Sequence, residues 1–235
     1  MGANAQTSVP AFTAGQVLTA AQVTGINTGI PVFASSTERD AAFGGTGEKT
    51  LAEGQMAYLE DTNETQYYDG SSWLSVGSTP GLTLVKSQAI GSAVSSVTVS
   101  NAFSADYENY RITVNGGVAS VAATVSLKLG ASTTSYYQAY HYITYSTGAA
   151  NILTVNNGSV WTYSGQTQTN YITVNVDLQN PFLAKYTTIS GFSAGSVGAY
   201  TVGYHASATS YTDFTIAHGG TLTGGTIRVY GYNNG

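Results

Sequence analysis

Beyond residue 81 the chain alternates between apolar and polar positions. Val121, Ala123, Val125, Leu127 and Leu129 are interleaved with Thr124, Ser126 and Lys128, and Ile172, Val174, Val176 and Leu178 with Thr173, Asn175 and Asp177. Ile227 and Val229 follow the same rule between Thr226, Arg228 and Tyr230. A period of two places each apolar set on one side of a pleated strand, so these segments predict half-buried β-strands. Asn115-Gly116-Gly117 and Asn156-Asn157-Gly158 carry residues that tolerate positive φ, which predicts hairpin turns there. About eight or nine strands are expected over residues 81–235, with no helical periodicity of useful length. Short strands joined by Gly-rich turns define a mainly β chain whose C-terminal domain is a Tyr-rich, jelly-roll-like β-sandwich.

The first 80 residues are patterned differently. Residues 1–31 form an extended arm and a short helix, in which Thr19 caps the start and Gln22 reaches back to it. Val23 and Ile26 then face inward on the next turn, and Gly29 and Pro31 end the helix. One short helix is unstable alone, so Val17, Leu18, Val23 and Ile26 are the candidate attachment face, against the rest of the chain or a neighbouring subunit. Residues 32–80 read as a small acidic β-meander, a stalk or linker module. It begins with a turn or two of helix over Thr37–Phe43, with acids at its start. Strands are expected at Gln55–Glu60, Thr65–Tyr68 and Trp73–Val76, joined by turns at 61–64 and 69–72, with Met56, Tyr58, Tyr67 and Trp73 on one packed face. Gly77-Ser78-Thr79-Pro80-Gly81 is a linker signal.

Charge narrows the function. The net charge of −5 falls unevenly, with eight acids and two bases in residues 1–76 against four acids and five bases in 77–235. Without a basic stripe there is no footprint for nucleic acid. No apolar run reaches the roughly 20 residues of a membrane span, and the N-terminus lacks the basic and apolar regions of a signal peptide, so no membrane insertion is expected. The chain has no cysteine, hence no disulfide or thiolate metal site. Residues 86–235 hold only nine charged side chains but fifteen tyrosines. Ordinary domains carry roughly 25% charged residues, and edge strands without lysine or proline pair with strangers. Such a sheet is expected to be covered by copies of itself or by other proteins.

Candidate chemistry is sparse. Asp106 and Glu108 share the alternate spacing that would put two carboxylates on one strand face, as a glycosidase needs, yet no second constellation accompanies them. His141, His205 and His218 fall on separate strands without short ligand spacing, and Asp61-x-Asn63 lacks the later ligands of a calcium loop. No catalytic residue, metal or cofactor is therefore expected. Tyr136, Tyr137, Tyr140, Tyr142 and Tyr145 lie in one segment, so both strand faces carry rings, with Trp161 and Tyr163 on the adjacent hairpin. Rings beside Asn, Gln and Ser suit either subunit packing or contact with glycan.

Several stretches resemble bacteriophage virion proteins. Phe103-Ser104-Ala105-Asp106-Tyr107-Glu108-Asn109-Tyr110-Arg111-Ile112 is similar to the opening of a β-sandwich domain found in them, and Gly225-Thr226-Ile227-Arg228-Val229-Tyr230-Gly231-Tyr232 to its closing strand. Glu38-Arg39-Asp40-Ala41-Ala42, Glu53-Gly54-Gln55-Met56-Ala57-Tyr58 and Tyr68-Asp69-Gly70-Ser71-Ser72-Trp73 resemble a linker of phage tail and fibre proteins. Gly15-Gln16-Val17-Leu18-Thr19-Ala20 is similar to the start of minor tail proteins, with Gln16 in place of the usual acid. The resemblance implies a non-enzymatic virion structural protein, made in the host cytoplasm and carried on the particle exterior. As a homotrimeric tail fibre or minor tail protein it would contact other virion proteins and bacterial surface polysaccharide. As a capsid decoration or head-fibre protein it would clamp or ornament the shell. An enzyme that depolymerises surface polysaccharide is the more distant third expectation.

Overall fold

The computed structural model describes residues 7, 9, 11–20, 22–23, 29–46, 48–77 and 81–233. The chain divides into two compact units, Met1–Ser78 and Thr79–Gly235. The linker signal straddles that division, and its residues 78–80 lie outside the described residues.

In the first unit the capping arrangement at Thr19 is formed. The Gln22 amide donates to Thr19 Oγ1 at 3.3 Å, and the Thr19 amide donates to Gln22 Oε1 at 2.9 Å. Val17, Leu18 and Val23 are all exposed, Val17 at 89%, so Val23 does not turn inward. Ile26, the fourth candidate attachment residue, lies outside the described residues. The arm meets the meander at Val9, whose amide donates to Ala42 and whose carbonyl accepts from Lys49.

A four-stranded sheet follows: β1 (Val32–Phe33), β2 (Met56–Leu59), β3 (Glu64–Tyr68) and β4 (Trp73–Ser75), with β1 parallel to β2 and the rest antiparallel. Helix α1 (Ser36–Ala41) starts at Ser35, whose hydroxyl accepts from the Glu38 amide. The buried face is Phe33, Ala42, Ala57 and Leu59, with Phe43 and Trp73 against it. Three of the four expected core residues, Met56, Tyr58 and Tyr67, therefore sit on the other side of the sheet; only Trp73 joins the core. On β2 the expected phase is displaced by one residue. The small Ala57 and Leu59, rather than the larger Met56 and Tyr58, point into the core, and such a slip exchanges the two faces completely.

Among its described residues the second unit has thirteen strands. In chain order they are β5 (Leu82–Ala89), β6 (Val94–Val99), β7 (Asn109–Asn115), β8 (Val118–Ala119), β9 (Ala123–Leu129), β10 (Tyr136–Thr144), β11 (Ala150–Gly158), β12 (Trp161–Gln168), β13 (Tyr171–Gln179), β14 (Thr187–Ala194), β15 (Val197–His205), β16 (Phe214–Thr223) and β17 (Thr226–Tyr232). The pairing order β5-β17-β7-β13 defines one layer and β6-β16-β9-β12 the other. Consecutive strands of the roll thus cross between layers, except β9 and β12, which pair within one, and late strands nest between early ones. That eight-stranded pattern of two Greek keys is a jelly roll. Strand β13 bends between the layers: Tyr171–Val174 pair with β12, while Val176–Gln179 pair with β14.

The alternation seen in the sequence points into the space between the layers. Tyr110, Ile112 and Val114 of β7, Val174, Val176 and Leu178 of β13, and Ile227 and Val229 of β17 meet Val125, Leu127 and Leu129 of β9 and Phe214 and Ile216 of β16 in one core. Each such side chain contributes about 1.5–3 kcal/mol by leaving water. The two motifs at the ends of this domain meet in space, because β7 pairs with β17 and Gly231 lies opposite Tyr110. A Cβ on Gly231 would stand 2.3 Å from the Tyr107 ring, so the tyrosine seats directly on the glycine. Arg111 makes two 2.8 Å bonds to Asp177 opposite it, and the Tyr232 hydroxyl donates to the same carboxylate. Burial raises the Asp177 carboxyl, but the bonds from Arg111 and Tyr232 outweigh it and hold the group below its ordinary value.

The strand count exceeds expectation because two hairpins and the two-residue β8, which pairs with β16, are added to the eight strands of the roll. Neither expected hairpin turn is one. Asn115-Gly116-Gly117 has positive φ at both glycines, yet β7 and β8 do not pair. Asn157 also has positive φ, but it lies within β11 and forms a bulge against β10. Its side-chain oxygen accepts from the Ser135 amide and the Thr134 hydroxyl, which fixes the bulge.

Candidate functional site

The additions are β10–β11, inserted between β9 and β12, and β14–β15, inserted between β13 and β16. They pair in the order β14-β15-β10-β11 and continue the first layer beyond β13 as a four-stranded extension. From Leu129 to Val176 and from Tyr186 to Thr212 there is no charged residue, so the extension carries none. Among the described residues its free edge, β11, pairs only with β10, and it is exposed along most of its length. It contains neither lysine nor proline, the residues that ordinarily protect such an edge.

The tyrosine segment separates by pleat, as its alternation requires. Tyr136 and Trp161 are fully buried and belong to the core of their own domain, which corrects their assignment to a contact surface. Tyr136 packs edge-on to Trp161 at 5.1 Å and stacks on His205 at 4.2 Å. Its hydroxyl accepts from the Leu129 amide, and burial pushes its ionisation up to about 12. Tyr145 stands 62% exposed beyond the end of β10.

Tyr137 lies on the outer face, in a row with Tyr204 of β15 and Tyr186 beside β14. These rings stack at 4.8 Å and 6.3 Å, within 10° of parallel. A second row runs Phe192, Tyr200, His141, with the last two stacked at 4.8 Å. Together with Ile143 and Ile152, the second row lines an open trough of about 770 Å³. Phe192 is 73% and Ile152 61% exposed. Because the parallel rings cover one another's faces, the outer surface offers mostly ring edges and aliphatic groups.

Tyr140 and Tyr142 point to the opposite side. With Tyr163 of β12 they line a smaller cleft of about 230 Å³ between the extension and the second layer of the roll. Tyr140 stacks on Tyr163 at 4.9 Å. Burial raises the Tyr140 hydroxyl, with Ser193 hydrogen-bonding against that trend. Thus Tyr140, Tyr142 and Tyr163 are brought together, while Tyr137 and Tyr145 are placed elsewhere. Sequence reasoning missed Tyr186, Phe192, Tyr200, Tyr204 and Gln166. The alternation Tyr200-x-Val202-x-Tyr204 was a usable signal for the outer face; nothing local marked Gln166.

The other candidates stand apart. Asp106 and Glu108 lie in the exposed turn before β7 rather than on a strand, so the shared-face argument does not apply to them. Asp106 accepts from the Ser104 hydroxyl, and Arg111 is engaged by Asp177. Among the described residues no three His, Asp or Glu side chains gather as metal ligands. His218 bonds the Thr167 hydroxyl at 2.8 Å, and Asn63 takes the positive φ of a turn. His205 is fully buried, its ring bonded to the Tyr211 hydroxyl and the Ser135 carbonyl.

Burial pushes His205 below its ordinary value of 6.5, with the Ser135 contact opposing. The folded state therefore holds this proton less readily than the unfolded chain. Its contribution is complete above the unfolded value and is lost as pH falls below about 6.5. Denaturant titrations from pH 8 to pH 5 are expected to show this loss, with a shallower slope in His205→Gln. Equal slopes in the two proteins would refute the assignment.

Comparison with known proteins gives no match to a family model, a curated protein or a solved structure.

Proposed function

We propose that the chain is a non-enzymatic bacteriophage virion protein of the tail-fibre or minor-tail type, whose jelly roll is displayed for contact with bacterial surface polysaccharide. The observation that carries this reading is the four-stranded extension: an uncharged addition to the roll, aromatic on both faces and ending in an unprotected edge. Large exposed apolar patches mark contact surfaces. The resemblance of both ends of the domain to phage virion proteins supplies the context, and jelly rolls serve widely in capsids and lectins.

The two faces suit different partners. The outer rows present ring edges without one charge, so a partner must be equally uncharged, and the same extension on a second copy of the chain meets that requirement. A homotrimer closed over this face and the β11 edge would keep so ion-poor a sheet from aggregating. Adhesion itself needs little affinity per site, because many copies on one particle raise the effective concentration.

The experiment displays the full chain densely on beads and challenges it with an array of bacterial polysaccharides. Retention that rises steeply with display density is expected. A chain that sediments as a stable monomer and is retained by no polysaccharide at any density would refute the reading.

A further inference from the structure

The cleft beneath the extension has a composition that selects a ligand. Its polar lining consists of hydroxyl and amide groups, notably Thr124, Tyr142, Tyr163, Gln166 and Gln168, and it contains no acid, base or histidine. Gln166 is only 5% exposed, and its orientation is set, since its Nε2 donates to Ser193 Oγ at 2.9 Å and to the Val197 carbonyl at 3.2 Å. The turn between β14 and β15 closes on this group at Gly195. A Cβ there would stand 2.8 Å from Gln166 Oε1 and 2.2 Å from the Tyr171 hydroxyl, so only glycine permits the approach. The Tyr171 hydroxyl is itself buried, with no hydrogen-bond partner among the described residues. Beside the stacked rings of Tyr140 and Tyr163, these amide and hydroxyl groups line an open cleft of about 230 Å³, enough for one six-membered sugar ring.

We infer that this cleft binds a single neutral sugar residue and discriminates against acidic ones. The inference rests on the adhesive reading of the jelly roll and names the substrate class of that reading. Sugar hydroxyls both donate and accept, as do the amide and hydroxyl groups that line the cleft. The apolar face of a pyranose packs on an aromatic surface. A carboxylate or phosphate would enter an uncharged site and lose its water with no counter-charge to replace it, which is strongly unfavourable. The cleft therefore excludes uronic acids, sialic acid and phosphorylated sugars by lacking a cation.

Saturation-transfer NMR on the full chain tests this with methyl glucoside, methyl galactoside and N-acetylglucosamine, against glucuronate, sialic acid and glucose 6-phosphate. At least one neutral probe is expected to bind with a Kd on the order of millimolar, as its size dictates, and each charged probe about tenfold or more weakly. Tyr163→Ala and Gln168→Ala are each expected to weaken neutral binding about tenfold. Gln168 is partly exposed, and its variant is expected to keep the parent Tm, which separates lost binding from lost fold. Charged probes binding as well as neutral ones, binding unchanged in both variants, or no transfer to any neutral probe would each overturn the assignment. If beads hold polysaccharide while the two variants bind normally, the cleft is wrong and adhesion stands. If the cleft binds neutral sugar while beads hold nothing, the site stands and adhesion falls.

Discussion

Gly225→Ala is expected to lower the stability of the jelly roll by about 3 kcal/mol or more, among the largest effects a single added methyl can have. Gly225 has φ +85°, where a side chain is strained, and its added Cβ would fall 2.4 Å from the Gly116 carbonyl oxygen. Reciprocally, a Cβ at Gly117 would fall 2.4 Å from the Gly224 carbonyl oxygen. Two corner turns, 116–117 and 224–225, thus press backbone against backbone where β7 ends and β17 begins. Neither can yield without pulling apart the β7–β17 ladder, which joins Asn115 to Thr226 at that corner. Gly117→Ala should cost about as much. Gly219→Ala is the control, since its Cβ would meet nothing within 4 Å and its φ is ordinary; a change within about 0.5 kcal/mol is expected. Urea unfolding of the three proteins makes the comparison. Corner variants as stable as Gly219→Ala would mean that the turns do not touch.

Trp161→Ala is expected to cost about 3–5 kcal/mol, the usual range for deleting a large buried aromatic. The indole is fully buried against Tyr136 and His205, so its removal opens a cavity at the base of the extension. Tyr145→Ala, at a ring 62% exposed, is expected to change stability by less than about 0.5 kcal/mol. The pair separates a packing role from a contact role within one set of candidate residues. Were Trp161 a contact residue, its loss would impair adhesion and leave the unfolding midpoint unchanged.

The fold class was legible because alternation is a local property that survives any choice of topology. Val125-x-Leu127-x-Leu129 must bury one face wherever β9 lies. The hairpins were not legible. Asn115-Gly116-Gly117 meets every local requirement of a hairpin turn, but in a jelly roll the next strand crosses to the other layer, so the same backbone makes a corner. In the meander, side-chain size misled: Tyr58 and Met56 carry more apolar surface than Ala57, and the sheet nevertheless buries Ala57 and Leu59 together with Ala42, which follows α1. The candidate site was half visible. A dense run of tyrosines marked β10, but which ring enters the core depends on cross-strand partners such as His205 and Trp161, distant in the chain. The outer rows depend on β14 and β15 returning beside β10, and Gln166 on a turn 29 residues later at Gly195.

The measurement that bears most directly on the proposed role is retention of dense, bead-displayed full chain on bacterial polysaccharide, compared with the same chain free in solution. The account predicts that display raises apparent affinity by a factor of about 10²–10⁴ over the free chain, with Phe192→Lys disturbing assembly and Gln168→Ala disturbing sugar contact. Retention that is absent at every density, from a chain that stays monomeric and dispersed, would contradict it.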